Sequence, residues 1–165
     1  MNVFFLRHGE AGRRITIPSK DFERSLTASG VAEIEEIAES MKDMDIEFDK
    51  FASSPLARAR ETAEIVSKVY KQAGKLEMWD ELKPEANRLD LYRRLSKMKQ
   101  DADVLLVGHE PFMTIVISEI ISGSLSAKIS LKKAGLARVQ IDSFTPKASG
   151  ELRWLLTPKQ IKNMG

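Results

Sequence analysis

The chain contains only two histidines, His8 and His109, and each follows a short apolar run. The runs VFFL at 3–6 and VLLVG at 104–108 have the length and composition of buried strands. Loops at the carboxyl ends of strands in an open α/β sheet usually bind ligands, so an imidazole placed there indicates a binding or catalytic site. If the two strands are neighbours in a parallel sheet, both imidazoles face one pocket.

Two arginines and one glutamate accompany these histidines. Arg7 directly precedes His8, and Arg58 falls in the first turn of the helix predicted after Pro55. A helix amino terminus favours anions, so the positive charge of an arginine there opposes the helix dipole. A bound anion between the arginine and the helix end would remove this conflict. Two guanidinium forks beside an imidazole suit a phosphate or a carboxylate. Glu81, which follows the third predicted strand, is a third titratable group expected near the pocket; the alternative for each is an exposed, solvated side chain.

The histidine spacing argues against a metal site. No HxxxH or HxH pattern occurs, and two cations beside His8 would repel a divalent ion, so we predict no metal and no cofactor. The absence of cysteine excludes disulfides, thiolate catalysis and cysteine-ligated metal.

Length and charge limit the classes of protein. The 165 residues, 42% of them hydrophobic, suit a single domain spanning 1–165. The 26 basic residues nearly balance the 24 acidic ones, and a net charge of +2 predicts no nucleic-acid partner. No apolar run approaches the roughly 18 residues of a membrane span, so we expect a soluble, cytoplasmic protein without a membrane partner.

The remaining pattern predicts an α/β protein. Residues 12–26 are predicted as a long loop, Thr27 as a helix cap, and Ser54 as the cap of a helix ending at Gly74. Further strands are expected at 48–53, 76–79, 136–141 and 151–156, and further helices at 87–97 and 111–121. With the last two strands as an antiparallel pair, we predict a three-layer α/β/α sandwich with a mostly parallel sheet and an antiparallel edge.

Three segments resemble, in order, the signatures of the histidine phosphatase superfamily, also called the phosphoglycerate mutase-like fold. They are LRHGEA at 6–11, SSPLARARETA at 53–63 and VGHEP at 107–111. Their order and spacing match along nearly the whole chain. The short length and the pattern DELKP at 80–84 resemble most closely the small bacterial branch of SixA-type phosphohistidine phosphatases.

The resemblance implies a role for each candidate residue. His8 would be the nucleophile that becomes a phosphohistidine, while Arg7, Arg58 and His109 complete the phosphate pocket. A neutral imidazole attacking in line, with guanidinium groups neutralising the equatorial oxygens, agrees with this chemistry and needs no metal. Glu81 matches the position of the general acid in larger relatives, although its DELKP surroundings depart from their pattern.

The substrate class follows from the resemblance and from the short segment between Trp79 and Val104, which leaves little chain for a lid. A small lid implies an open pocket and favours hydrolysis of phosphohistidine on a protein. One alternative is a phosphatase for a small phosphorylated metabolite, a phosphomonoester. The other, from a different class, is an inactive phospho-ligand-binding module.

Overall fold

A computed structural model describes residues 1–165, and its strands form one six-stranded sheet in the order β3-β2-β4-β1-β5-β6. The strands are β1 Asn2–Arg7, β2 Lys50–Ser53, β3 Leu76–Met78, β4 Asp103–Gly108, β5 Leu136–Ser143 and β6 Ser149–Leu156. The first four strands in sheet order run parallel to one another, whereas β5 pairs antiparallel with both β1 and β6. The predicted mostly parallel sheet with an antiparallel edge is confirmed.

Strand β1 lies at the centre of the sheet and connects its two halves. It pairs in parallel with β4, Val3 opposite Val104 and Arg7 opposite Gly108, and antiparallel with β5. Because β1 and β4 are parallel neighbours in register, the residues that follow them emerge side by side. His8 and His109 are those residues.

Helices cover both faces of the sheet and complete three layers. The short α1 Pro18–Phe22 buries no residue and lies at a surface cavity, and the helices on the sheet are α2 Ala28–Asp43, α3 Ala57–Val69, α4 Arg88–Leu95, α5 Phe112–Ser122 and α6 Pro158–Met164. Alternate residues of β1 and β4 point to opposite faces, as the period of a strand requires. Val3 and Leu106 join the core beneath α4 and α5, whereas Phe4 and Leu105 join the core beneath α2, α3 and α6. No helix is both long enough and apolar enough to cross a bilayer.

Three local predictions were wrong. Residues 12–26 are not loop throughout, because they contain helix α1 and a bridge that pairs Ala11 with Leu26. Ser54 does not cap α3, whose N-cap is Leu56 and carries no side-chain bond. This helix ends at Val69, before the predicted stop at Gly74.

Three helices begin at a residue whose side chain caps them, namely Thr27, Asn87 and Thr157. The Thr27 side chain accepts from the Gly30 amide, which confirms the predicted cap of α2. Helix α6 was not predicted, although Thr157 and Gln160 form a capping box around Pro158. That pattern was visible in the sequence, but the segment is short and carries little apolar periodicity.

Candidate active site

The two histidines meet at the carboxyl edge of the sheet. The His8 and His109 ring centroids lie 5.1 Å apart, and both side chains are buried. The His8 amide donates to the Gly108 carbonyl at 3.1 Å, which ties the two strand ends together. The adjacency of β1 and β4 therefore produces one pocket with two imidazoles.

A hydrogen bond fixes the tautomer of His8. Its Nδ1 lies 2.7 Å from the Gly9 carbonyl oxygen, and a carbonyl can only accept, so Nδ1 carries the proton. The lone pair is then on Nε2. Burial lowers the pKa of His8 to about 4 from its ordinary 6.5, and the positive charges of Arg58 and Arg7 act in the same direction. His8 is therefore neutral at physiological pH and has a nucleophilic nitrogen.

His109 is held by a residue that was predicted as a helix cap. Its Nε2 lies 2.9 Å from the Ser54 hydroxyl, while its Nδ1 is buried without a partner. Burial, followed by the charges of His8 and Arg58, lowers the pKa of His109 to about 2. The pocket thus contains a second neutral imidazole with an unsatisfied ring nitrogen.

Both predicted arginines lie beside the histidines. Arg7 Nη1 donates to the Leu131 carbonyl at 3.0 Å, and Arg58 Nη1 donates to the Asp21 carbonyl at 3.0 Å. The Nε atoms of both arginines are buried and have no partner. Buried donors of this kind are costly when unsatisfied, so they indicate a place where an anion binds.

The backbone of the His8 loop is packed tightly between α2 and α3. The Gly9 amide donates to the Thr62 hydroxyl at 3.1 Å, and Thr62 in turn donates to the Arg58 carbonyl at 2.7 Å. On the other side, a Cβ added at Gly30 would lie 2.2 Å from the Glu10 carbonyl oxygen. Only glycine permits this approach, which holds the His8 loop against the start of α2.

The four residues Arg7, His8, Arg58 and His109 line one open cavity of about 1320 Å³. Glu81 does not line it. Both Glu81 carboxylate oxygens accept from Arg94, at 3.1 and 3.2 Å, and the Arg94 guanidinium lies 4.2 Å from the Trp79 ring centroid. The structure therefore leaves Glu81 in an ion pair outside the cavity, and its assignment as general acid stays a prediction.

Glu110 is a cavity residue that the sequence interpretation did not select. It directly follows His109, lines the cavity, and accepts from the Thr114 amide and hydroxyl at 3.2 and 2.7 Å. Burial raises the pKa of Glu110 above the ordinary glutamate value, despite the opposing effect of these bonds. Its position two residues after the end of β4 is the signal that could have identified it.

The arrangement can bind a tetrahedral oxyanion and present a nucleophile to it. Unpaired N–H groups of Arg7 and Arg58 supply positive donors, and His8 Nε2 supplies the lone pair. No group of three histidine, cysteine, aspartate or glutamate side chains is placed to share a metal ion.

Known phosphatases resemble this chain over nearly its whole length. Phosphohistidine phosphatase SixA of Escherichia coli is 26% identical over 164 residues, covering 98% of this chain and 97% of that protein. A structure of the protein histidine phosphatase SixA complexed with tungstate superimposes with a TM-score of 0.83 at 25% identity, covering 96% of this chain and 98% of that one. The α-ribazole phosphatase of Shigella flexneri shares the fold at 16% identity and a TM-score of 0.66, covering 96% and 97%.

The family model described as histidine phosphatase superfamily (branch 1) matches residues 3–87, which include the His8 loop and the start of α3. Relatives of the SixA type match nearly the full length, so the resemblance extends through His109 and the antiparallel edge. The chain belongs to the histidine phosphatase superfamily, and its relatives support the SixA-type branch.

Proposed function

We propose that this protein hydrolyses phosphohistidine on another protein through a phosphoenzyme formed on His8. The observation that carries the proposal is the His8 imidazole, neutral and with Nε2 free, beside two arginines whose Nε groups lack partners. That combination matches the two needs of phosphoryl transfer, a nucleophile and neutralisation of the phosphoryl oxygens.

In the first step, His8 Nε2 attacks phosphorus while the bond from phosphorus to the substrate nitrogen breaks. Arg7 and Arg58 would balance the charge on the equatorial oxygens, and His109 Nδ1 would contact a further oxygen. In the second step, water attacks the phosphoenzyme, its oxygen bonds to phosphorus while the bond from phosphorus to His8 Nε2 breaks, and both protons of the water leave with the product as dihydrogen phosphate. His8 returns to its neutral form.

The substrate class is supported by the chemistry of the leaving group. Transfer from one imidazole to another exchanges one nitrogen–phosphorus bond for a similar one, so it depends little on leaving-group protonation. Glu81, the general acid implied by the family resemblance, is paired with Arg94 outside the cavity. The relatives named SixA are phosphohistidine phosphatases, and one of their structures holds tungstate, a tetrahedral oxyanion.

One observation favours a second candidate, a phosphatase for small phosphomonoesters. Glu110 lines the cavity, and burial raises its pKa, so it is suited to give a proton to an alkoxide leaving group. Such a proton donor is worth about a hundredfold to ten-thousandfold for an alcohol. An enzyme that uses Glu110 in this way would prefer monoesters.

The proposal also holds that one domain acts without a metal, since the arginines neutralise the phosphate directly. Activity should therefore be unchanged in a chelator. Activity lost in EDTA and restored by a divalent cation would contradict this part of the mechanism.

The main experiment compares turnover of a histidine-phosphorylated protein with turnover of a panel of phosphomonoesters. Wild-type enzyme quenched during turnover should retain an acid-labile, base-stable phosphoryl label, and His8→Ala should abolish both label and activity. His109→Ala is the matched control, because it keeps the nucleophile and should slow labelling without preventing it. Faster turnover of the monoesters would favour the second candidate.

A further inference from the structure

The cavity extends far beyond the pocket that a single phosphoryl group needs. Its lining continues from His8 along residues 10–16 to Asp21 and Arg24, and only 4 of its 23 lining residues are hydrophobic. The phosphate chemistry uses the inner end alone. The outer part must therefore contact something other than the phosphoryl group.

Residues 12–20 follow one side of this outer part, where all but Ile17 and Lys20 line the cavity, and every one of them is exposed. The segment reads GRRITIPSK, with Arg13, Arg14 and Lys20 and no acidic residue. None of these cations makes an ion pair within the chain. Lys133, which lines the cavity from a different segment, is likewise exposed and unpaired.

Six cations and four carboxylates line the cavity, so the lining carries an excess of positive charge. Asp21 is bonded to Arg24 and lies beside Arg58, Glu110 accepts from Thr114, and Glu10 feels the charge of Lys133, whereas Glu85 makes no ion pair. Arg13 and Arg14, which bond to none of these carboxylates, therefore remain available to an acidic partner.

Two exposed isoleucines distinguish this surface from a site for a small metabolite. Ile15 is 37% exposed and Ile17 is 48% exposed. Ile15 lines the cavity, but Ile17 lies outside the lining, beyond a ligand confined to it. Arginine together with exposed apolar side chains is the composition of a protein interface, whereas a small phosphorylated metabolite would leave Ile17 unused.

The segment is held in place while its side chains stay free. The Asp21 carboxylate accepts from the Ile15 amide at 3.1 Å, and Arg24 Nη1 donates to the Gly12 carbonyl at 2.8 Å. These bonds fix the backbone on both sides of Arg13 and Arg14. A surface fixed in this way loses less conformational entropy on binding than a free loop does.

We infer that residues 12–20, together with Lys133, form a docking surface for the acidic face of the protein that carries the phosphohistidine. We call this surface the basic rim. The inference rests on the proposed function and deepens it, because it assigns a charge to the partner. Attraction between exposed opposite charges acts mainly on the rate of encounter and on KM, and salt screens it.

The test uses two peptides of equal length, each with one central phosphohistidine, one flanked by aspartates and glutamates and the other by serines and asparagines. Wild-type enzyme should hydrolyse the acidic peptide with a kcat/KM about threefold to tenfold higher at low ionic strength, as exposed ion pairs allow. The preference should disappear at about 0.5 M salt, where the Debye length is a few ångströms.

The variant Arg13→Gln/Arg14→Gln should lose this preference through KM and keep its turnover of free phosphohistidine. Lys97→Gln/Lys99→Gln is the matched control, because both lysines are exposed and neither lines the cavity. It should behave as wild type.

Equal hydrolysis of the two peptides by wild type would overturn the docking inference and leave the proposed function standing. An equal loss on free phosphohistidine in the Arg13/Arg14 variant would also overturn it, since the arginines would then belong to a site for a small anion. If wild type hydrolyses monoesters but neither peptide, the proposed function itself fails, and the docking inference fails with it.

Discussion

Arg58 and Asp21 are 37 residues apart in sequence, yet the Arg58 guanidinium donates to the Asp21 carbonyl and lies 3.4 Å from its carboxylate. The same carboxylate accepts from the Ile15 amide and from Arg24. Asp21 therefore connects the basic rim to the phosphate pocket. It also orients Arg58, whose Nε is buried without a partner.

We expect Arg58→Ala to weaken inhibition by vanadate, which imitates a phosphoryl group. The loss should be about 2 kcal/mol or more, because a charge-assisted, buried hydrogen bond is removed. Arg60→Ala is the matched control, since Arg60 is on the same helix but 38% of its side chain is exposed. The vanadate inhibition constants of wild type, Arg58→Ala and Arg60→Ala measure this effect. Equal constants for Arg58→Ala and wild type would show that Arg58 does not bind the anion.

The histidine pKa values should be visible directly by proton NMR, because the chain has only two imidazoles. Burial lowers the pKa of His8 to about 4, so we expect no imidazole midpoint near the ordinary 6.5. Below pH 6.5 the unfolded chain binds protons that the folded chain does not, so the free energy of unfolding should fall as pH drops from 6.5 towards 4. A His8 midpoint close to 6.5 would contradict the neutral nucleophile at mildly acidic pH.

Glu110→Gln and Glu81→Gln separate the two candidate proton donors. We expect Glu110→Gln to slow phosphomonoester hydrolysis about a hundredfold and to change phosphohistidine hydrolysis far less. Glu81→Gln should alter both rates only slightly, because Glu81 is paired with Arg94 and does not line the cavity. A large selective effect of Glu81→Gln on monoesters would return the acid role to the position that the family resemblance implies.

Gly30→Ala should destabilise the protein by about 1–3 kcal/mol, the usual cost of forced overpacking. The added Cβ would lie 2.2 Å from the Glu10 carbonyl oxygen, and relief requires movement of the loop that holds His8. Gly12→Ala is the control, because nothing lies within 4 Å of its Cβ position. Denaturant unfolding measures both, and a neutral Gly30→Ala would show that the loop yields easily.

Much of the fold could be predicted because local pattern and global structure agree. The apolar runs before His8 and His109 are β1 and β4, and Thr27 caps α2 as its position before a helical pattern indicated. The strands at 136–141 and 151–156 correspond to β5 and β6, although both extend beyond the predicted bounds. The hydrophobic periodicity of long helices and strands can be recognised from the sequence alone.

Side-chain partners that are distant in sequence were harder to predict. Ser54 was predicted from its neighbours as a helix cap, but its hydroxyl bonds to His109, 55 residues away. Glu81 was expected near the pocket from its position after a strand; in the structure it pairs with Arg94 on α4 outside the cavity, and its role as general acid stays a prediction. A local sequence pattern predicts the helix or strand to which a residue belongs, but only tertiary packing determines which distant residue it contacts.

The central place of β1 determines when the site can form. Val3 pairs with Val104 on one side and with Val139 on the other, and the amino terminus donates to the Ile141 carbonyl. The strand that leads to His8 is therefore synthesised before both of its neighbours, and its two edges stay unpaired until β4 and then β5 have been made. Such distant pairings fold slowly, so a nascent chain that ends before β4 has its nucleophile and no site to hold it.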